Sequence, residues 1–184
     1  MANGTLKVSN IETSSGSGTI TIGQSGETVT VSGTPSGEIA MTPAFQGYYS
    51  SSYQTVSDNT DTKLTIDTEE FDTNSAFDTS TSRFTIPSGQ AGKYFLYTKF
   101  YTYSSNDTGR QAKIYIYKNG SATSPTDNQY RLTQDSIVGG ALYTSYIYDA
   151  SVGDYFEAYG NFNVNSGTDN RLYKASFGGY KLIT

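Results

Sequence analysis

Cysteine, histidine and tryptophan are all missing from this chain. Disulfides, thiolate or imidazole metal ligands, cysteine nucleophiles and every serine–histidine triad are thereby excluded, because each needs a group the sequence lacks. Charge is sparse as well, with 12 Lys and Arg against 17 Asp and Glu for a net of −5. The basic residues are scattered, so nucleic acid, whose binders normally show a clustered positive footprint, is not an expected partner. No apolar run approaches the ~20 residues of a membrane span. The opening residues Met1 to Thr5 are polar, so neither membrane insertion nor a secretory leader is expected. Only 2 Met and 4 Pro occur, and good helix formers dominate no segment.

What the chain has is β chemistry: 17 Tyr, 9 Phe and abundant Thr, Ser and Gly in 184 residues, enough for a core domain with a short appended element. The texture changes near Met41, which divides the chain into residues 1–40 and 41–184. The first part is rich in Gly, Ser and Thr, with short alternations at Leu6 and Val8, Thr19-Ile20-Thr21-Ile22 and Thr28-Val29-Thr30-Val31. Such strands carry Ile20 and Ile22, or Val29 and Val31, on one face. Four branched side chains cannot hold a fold alone. The segment is therefore a flexible tail, packs on the following domain, or winds with copies of itself; a short β stalk or anchor is the favoured form.

Beyond Met41, alternating aromatic segments predict strands over 42–48, 63–67, around Phe71 and Phe77, and over 83–86, 93–103, 113–117, 141–148, 155–163 and 172–183. The expected fold is an all-β antiparallel jelly-roll sandwich of about ten strands. Several strands are apolar on both faces. Along 93–103 one face carries Tyr94, Leu96 and Phe100, the other Phe95, Tyr97, Tyr101 and Tyr103. The doubling recurs at Tyr115 and Tyr117, at Tyr146-Ile147-Tyr148, and at Tyr155 and Tyr159. A sheet face that met only water would be polar. Tyrosine buries a large ring while its hydroxyl still finds a partner, which suits a subunit interface formed by Tyr97, Tyr101, Tyr103, Tyr115, Tyr117, Tyr155 and Tyr159. A solvated sheet and a sugar-stacking platform are the competing explanations.

Carboxylates are the remaining groups able to do chemistry. Asp67, Glu69, Glu70 and Asp72 crowd one strand, where alternation puts Asp67 and Glu69 on one face and Glu70 and Asp72 on the other. Solvated charges that discourage edge association are the expected explanation, and no catalytic residue is expected. The stretch Gln46-Gly47-Tyr48-Tyr49-Ser50-Ser51-Ser52-Tyr53 mixes Tyr and Ser as adaptable binding loops do, which makes Tyr48, Tyr49 and Tyr53 candidate contact residues.

Ile66, Asp72, Phe77, Phe84, Gly92 and Tyr94 together resemble the signature of the complement C-one-q globular head, part of the tumour-necrosis-factor-like superfamily. Later landmarks follow in order: Ile116-Tyr117-Lys118-Asn119-Gly120, Val152-Gly153-Asp154-Tyr155 and Ser176-Phe177-Gly178-Gly179-Tyr180. The resemblance spans about residues 42–184. It departs at Ile66, where an aromatic is usual, in the longer approach Ser88-Gly89-Gln90-Ala91, and at Leu96 and Thr98. It implies a jelly roll and a homotrimer, with Phe84, Tyr94 and Phe177 in the core. The family's occasional use of calcium would fall on loop carboxylates such as Asp58, Asp61 or Asp154, although no cofactor is expected.

The N-terminal style, Gly4-Thr5-Leu6-Lys7-Val8 through Gly33, is similar to the openings of structural proteins of marine and cyanobacterial phages. Its union with the complement-like head implies a virion component assembled in a host cytoplasm. Leu6, Val8, Ile20, Ile22, Val29 and Val31 would dock on other virion proteins, and the trimeric head would serve as a tail fibre, fibre tip or head fibre contacting a host glycan or protein. A capsid decoration protein and a carbohydrate-binding trimer are the alternatives.

Overall fold

A computed structural model describes residues 42–104, 109–123, 128–131, 139–164 and 170–182. The strands are β1 (Ala44–Tyr48), β2 (Tyr53–Thr55), β3 (Thr62–Lys63), β4 (Thr68–Asp72), β5 (Phe77–Asp78), β6 (Arg83–Thr85) and β7 (Gly92–Ser104). They continue as β8 (Gly109–Lys118), β9 (Ser121–Ala122), β10 (Asn128–Arg131), β11 (Gly139–Ala150), β12 (Tyr155–Val164) and β13 (Asn170–Lys181). No helix occurs among the described residues.

Two antiparallel sheets form. The first runs β11-β7-β13-β1-β4 with β2 also on β13; the second runs β10-β8-β12-β6-β5 with β3 on β12 and β9 on β8. Consecutive long strands alternate between the sheets, β11 in the first, β12 in the second and β13 in the first, so the chain crosses the core at each step. This is the sandwich connection expected from the aromatic alternation.

The inner faces follow the period of two. Tyr94, Leu96 and Phe100 of β7 point inward beside Ile114 and Ile116 of β8 and Phe156 and Phe162 of β12, all essentially buried. Phe45 stacks on Phe84 and Phe77, with ring centroids 4.3 and 5.0 Å apart, and meets the edge of Phe177 at 5.1 Å. Burying each such ring contributes about 1.5–3 kcal/mol. Phe84, Tyr94 and Phe177 occupy the core positions the resemblance implied.

Two of the matched motifs interlock. Asn119 and Gly120 both have positive φ, 53° and 79°, as a tight hairpin between β8 and β9 requires. Asn119 then donates from Nδ2 to Asp154 Oδ1 (2.8 Å) and accepts from the Tyr155 N–H (2.9 Å). Lys118 Nζ reaches Asp154 Oδ2 at 2.7 Å. The Lys-Asn-Gly turn and the Gly-Asp strand entry are therefore the two halves of one clamp.

The segment expected as a strand over 63–67 contributes only Thr62–Lys63 to the sheet. Leu64 and Ile66 are fully buried, as alternation predicts. The ladder is completed by side chains, however: Gln54 Oε1 accepts from the Thr65 N–H and Ser82 Oγ from the Ile66 N–H, both at 2.9 Å. The short strands β2, β9 and β10 were not anticipated, and β2 closes the supposed contact loop at Tyr53.

Candidate assembly face and binding cleft

The outer face of the first sheet is built from cross-strand rows. Ile147, Phe95, Tyr180 and Ala44 align across β11, β7, β13 and β1. Tyr143, Lys99, Ser176 and Tyr48 form a second row, and Ala141, Tyr101, Tyr173 and Tyr53 a third that ends on β2. Of eight exposed large hydrophobic side chains among the described residues, six lie on this face: Tyr48, Tyr53, Phe71, Tyr101, Tyr143 and Ile147. Tyr146 stands at the sandwich edge and Val152 in the loop before β12. Water is a poor neighbour for so many rings on one side.

Tyr97 on the same face is held down. A Cβ on Gly178 would lie 2.6 Å from Tyr97 Oη, so the glycine is what lets the ring cross the strand. The hydroxyl donates to Gln46 Oε1 at 2.8 Å, and burial raises the Tyr97 pKa above its usual value, with Tyr143 and Tyr180 adding to the rise. Gly179 likewise leaves room for Leu96.

The outer face of the second sheet is equally aromatic but internally committed. Tyr117 and Tyr159 stack at 3.8 Å with an interplanar angle of 11°. The Arg83 guanidinium sits 3.9 Å from the Tyr155 ring centre. Glu157, buried between them, pairs with Arg83 at 3.0 Å and Lys63 at 3.3 Å. Asp61, from the approach to β3, accepts from Tyr117 Oη and Asn161 Nδ2. Burial, the Asp61 hydrogen bond and its charge push the Tyr117 pKa up to about 12.

The seven tyrosines expected at one interface are thus not brought together. Tyr97, Tyr101 and Tyr103 lie on the first sheet and Tyr115, Tyr117, Tyr155 and Tyr159 on the second, back to back. A subunit of a three-fold ring presents two flanks that meet at the axis; copies joined through both faces of a sandwich would stack without closing. Of the seven, only Tyr101 is exposed. Tyr143, Ile147 and Phe71 are the exposed residues that sequence reasoning missed. Pairing of Tyr148 with Tyr94 turns Tyr148 inward and Ile147 outward, and that register depends on β7, some 50 residues away in sequence.

Of the candidate contact residues, Tyr48 is exposed, whereas Tyr49 packs against the core and its N–H donates to the Ala175 carbonyl at 2.9 Å. Tyr53 leaves the loop; it lies beside Tyr173 and under Arg171, 4.2 Å from its ring centre. The loop that remains covers a cleft of about 470 Å³ lined by Tyr48, Tyr49, Ser51, Lys99, Lys174 and Ser176, among others.

Of the crowded carboxylates, Asp67 and Asp72 serve structure. Asp67 accepts from the Ser50 N–H (2.8 Å) and Oγ (2.9 Å). Burial opposes its ionisation, yet the Ser50 and Thr68 hydrogen bonds hold its pKa below the usual carboxylate value. Asp72 accepts from the N–H groups of Asn74 and Phe77, closing the turn before β5. Glu69 and Glu70 are exposed. Asp58 caps the Val164 N–H, and with Asp61 and Asp154 bound as above, each carboxylate considered for calcium is engaged by the chain's own donors. The docking residues Leu6, Val8, Ile20, Ile22, Val29 and Val31 lie outside the described residues.

Two antiparallel sheets, alternating crossovers and no helix among the described residues make an all-β sandwich with a jelly-roll-like fold. The chain is similar to the globular domain of the zebrafish complement 1qA protein, with a TM-score of 0.53 and 17% identity over 77% of this chain and 98% of that one. At that identity the likeness concerns the fold. No protein-family model and no curated protein sequence matches the chain.

Proposed function

We propose that this chain is a non-enzymatic surface protein of a bacterial virus particle, assembled as a homotrimer in which the outer face of the first sheet packs on a different patch of the neighbouring copy. The observation that carries the assembly is the gathering of six of eight exposed large hydrophobic side chains on that one face. Its β11–β7 half exposes Tyr101, Tyr143 and Ile147 and has the aromatic character of an interface centre, with the charges of Lys99 and Lys174 beside a shallow 260 Å³ hollow next to Tyr101 and Tyr143. Removing apolar surface there from water contributes about 25 cal/mol per Å². The complement-type fold agrees with a trimer, because known heads of that resemblance assemble in threes.

The viral assignment is supported by the resemblance of residues 4–33 to phage structural proteins, joined to a complement-like head. In this account the N-terminal segment docks on the particle and the head projects as a fibre tip or head fibre that meets the host. A non-enzymatic role is supported by the missing Cys and His and by the structural duties of Asp67 and Asp72. Immunogold labelling of intact particles with antibody to the head tests the placement: label on an appendage or head fibre is expected, and unlabelled particles would contradict it. Label spread regularly over the capsid would instead favour a decoration role.

A further inference from the structure

A cleft on the β1–β13 side of the first sheet shares Lys99 and Lys174 with the hollow beside Tyr101 and Tyr143, at the margin of the proposed assembly face. Its chemistry deepens the host-contact role proposed above and depends on that role only for where the ligand would be met. We infer that the cleft under the Tyr49–Ser52 loop binds an acidic saccharide, with Lys99 and Lys174 holding a single sugar carboxylate and Tyr48 lying against the sugar ring.

The lysines are uncommitted. Lys63, Lys93, Lys118 and Arg83 all have carboxylate partners, whereas Lys99 and Lys174 have no hydrogen bond or ion pair among the described residues. Both line the same cleft, in a chain whose net charge is −5. Lysine is a compact point charge with three donors, suited to a carboxylate held from one side.

The backbone is shaped to present them. β13 bulges between Tyr173 and Ser176, and Lys174 sits in that bulge at φ 49°. A left-handed conformation is unfavourable at a non-glycine residue, and bulges re-aim side chains beside binding sites. The bulge lies opposite the break between β1 and β2, which opens the cleft.

The opposite wall is held in advance. Asp67 grips Ser50 through two hydrogen bonds, and Tyr49 is tied to Ala175, so the loop loses little further freedom on binding. Tyr48 leaves 40% of its surface exposed, enough for a sugar face. Ser51, Ser52 and the Gln46 amide supply hydroxyl-matched donors and acceptors around it. Tyr97 occupies Gln46 Oε1, which leaves the amide donors for a ligand.

Glu70 sets the charge of that ligand. It lines the cleft with the lysines and bonds to neither, so it can accept from sugar hydroxyls. Its negative charge disfavours a dianion such as phosphate while leaving two cations for one carboxylate. A neutral sugar would leave the net positive charge of the two lysines and Glu70 unmatched.

Calorimetric titration of the full chain with a hyaluronan hexasaccharide, which carries glucuronate, tests the inference against the neutral N-acetylglucosamine hexamer and inorganic phosphate. Saturable binding of the glucuronate hexasaccharide is expected, at least about ten-fold tighter than the neutral hexamer or phosphate. Combined Lys99→Ala and Lys174→Ala substitution, or Tyr48→Ala alone, is expected to weaken it about ten-fold or more, while Lys113→Ala on the second sheet leaves it unchanged. Equal affinity for the neutral hexamer, equal affinity for phosphate, indifference to the lysine pair, or no binding of either this hexasaccharide or a sialylated trisaccharide would overturn the site. Light scattering on the same samples separates the two ideas: a monomer that still binds defeats the trimer and leaves the cleft, and a trimer that does not bind defeats the cleft alone.

Discussion

The two outer faces of this sandwich carry the same kind of residue and differ in what happens to it. On the second sheet Tyr117 and Tyr159 stack, Arg83 covers Tyr155, and Asp61 and Glu157 absorb the nearby donors. On the first sheet Tyr101, Tyr143 and Ile147 keep about half of their surfaces exposed. Alternating tyrosines therefore do not by themselves mark an interface. What distinguishes the faces is whether a distant part of the chain supplies partners: the segment carrying Asp61 and Lys63 reaches across β12, while nothing among the described residues crosses the β11–β7 half of the first sheet.

The comparison can be broken most forcefully at Glu157. Its replacement by Ala leaves Arg83 and Lys63 without their shared carboxylate and is expected to cost about 3 kcal/mol, near the lower end for a broken buried pair because both cations are partly exposed. Urea denaturation measures it, and a loss under 1 kcal/mol would show that the second face is not held by that centre. Tyr159→Ala removes the stacked ring and is expected to cost about 2–3 kcal/mol by the same assay.

On the first face, Gly178→Ala drives a methyl into Tyr97 and is expected to cost about 1–2 kcal/mol in thermal unfolding; an unchanged midpoint would mean that the ring is free to lift. Asp154 provides a pH test. Hydrogen bonds from Asn119 and Lys118 hold its pKa at about 2, against an ordinary 3.8. Because the folded value is the lower one, this stabilisation is full above about pH 4 and is lost as pH falls through 2. Asp154→Ala is expected to remove about 1–2 kcal/mol of stability at pH 7 and to flatten the acid limb between those values. The smallest effect belongs to Tyr143→Ser, expected within about 0.5 kcal/mol for an isolated head, since half of the residue is exposed.

Much of the sandwich was legible in the sequence because its strands are long and alternate cleanly. β7, β12 and β13 fall within two residues of the predicted spans, and Asn119-Gly120 forms the hairpin its dipeptide announces. Elements that rely on side-chain surrogates were not: Leu64 and Ile66 are buried as alternation predicts, yet Gln54 and Ser82 supply the bonds a neighbouring strand would make to the Thr65 and Ile66 N–H groups. The candidate interface was legible in residue type and not in face. Parity along β11 and the commitment of Tyr117 and Tyr159 arise from partners far away in sequence. The cleft needed three such events together, the β13 bulge, the β1–β2 break and the Asp67 clamp, none of which leaves a local pattern.

The central claim is that the two faces differ in purpose, and the mass of the assembled protein under paired substitution tests it most directly. Light scattering of the full chain is expected to give three times the 19.9 kDa chain mass. Combined Tyr101→Ser and Tyr143→Ser substitution is expected to reduce it to a folded monomer, whereas Tyr117→Ser leaves the mass unchanged and lowers only the unfolding midpoint. A wild-type monomer, or a trimer that survives the first-face substitutions and falls apart with the second, would contradict the account.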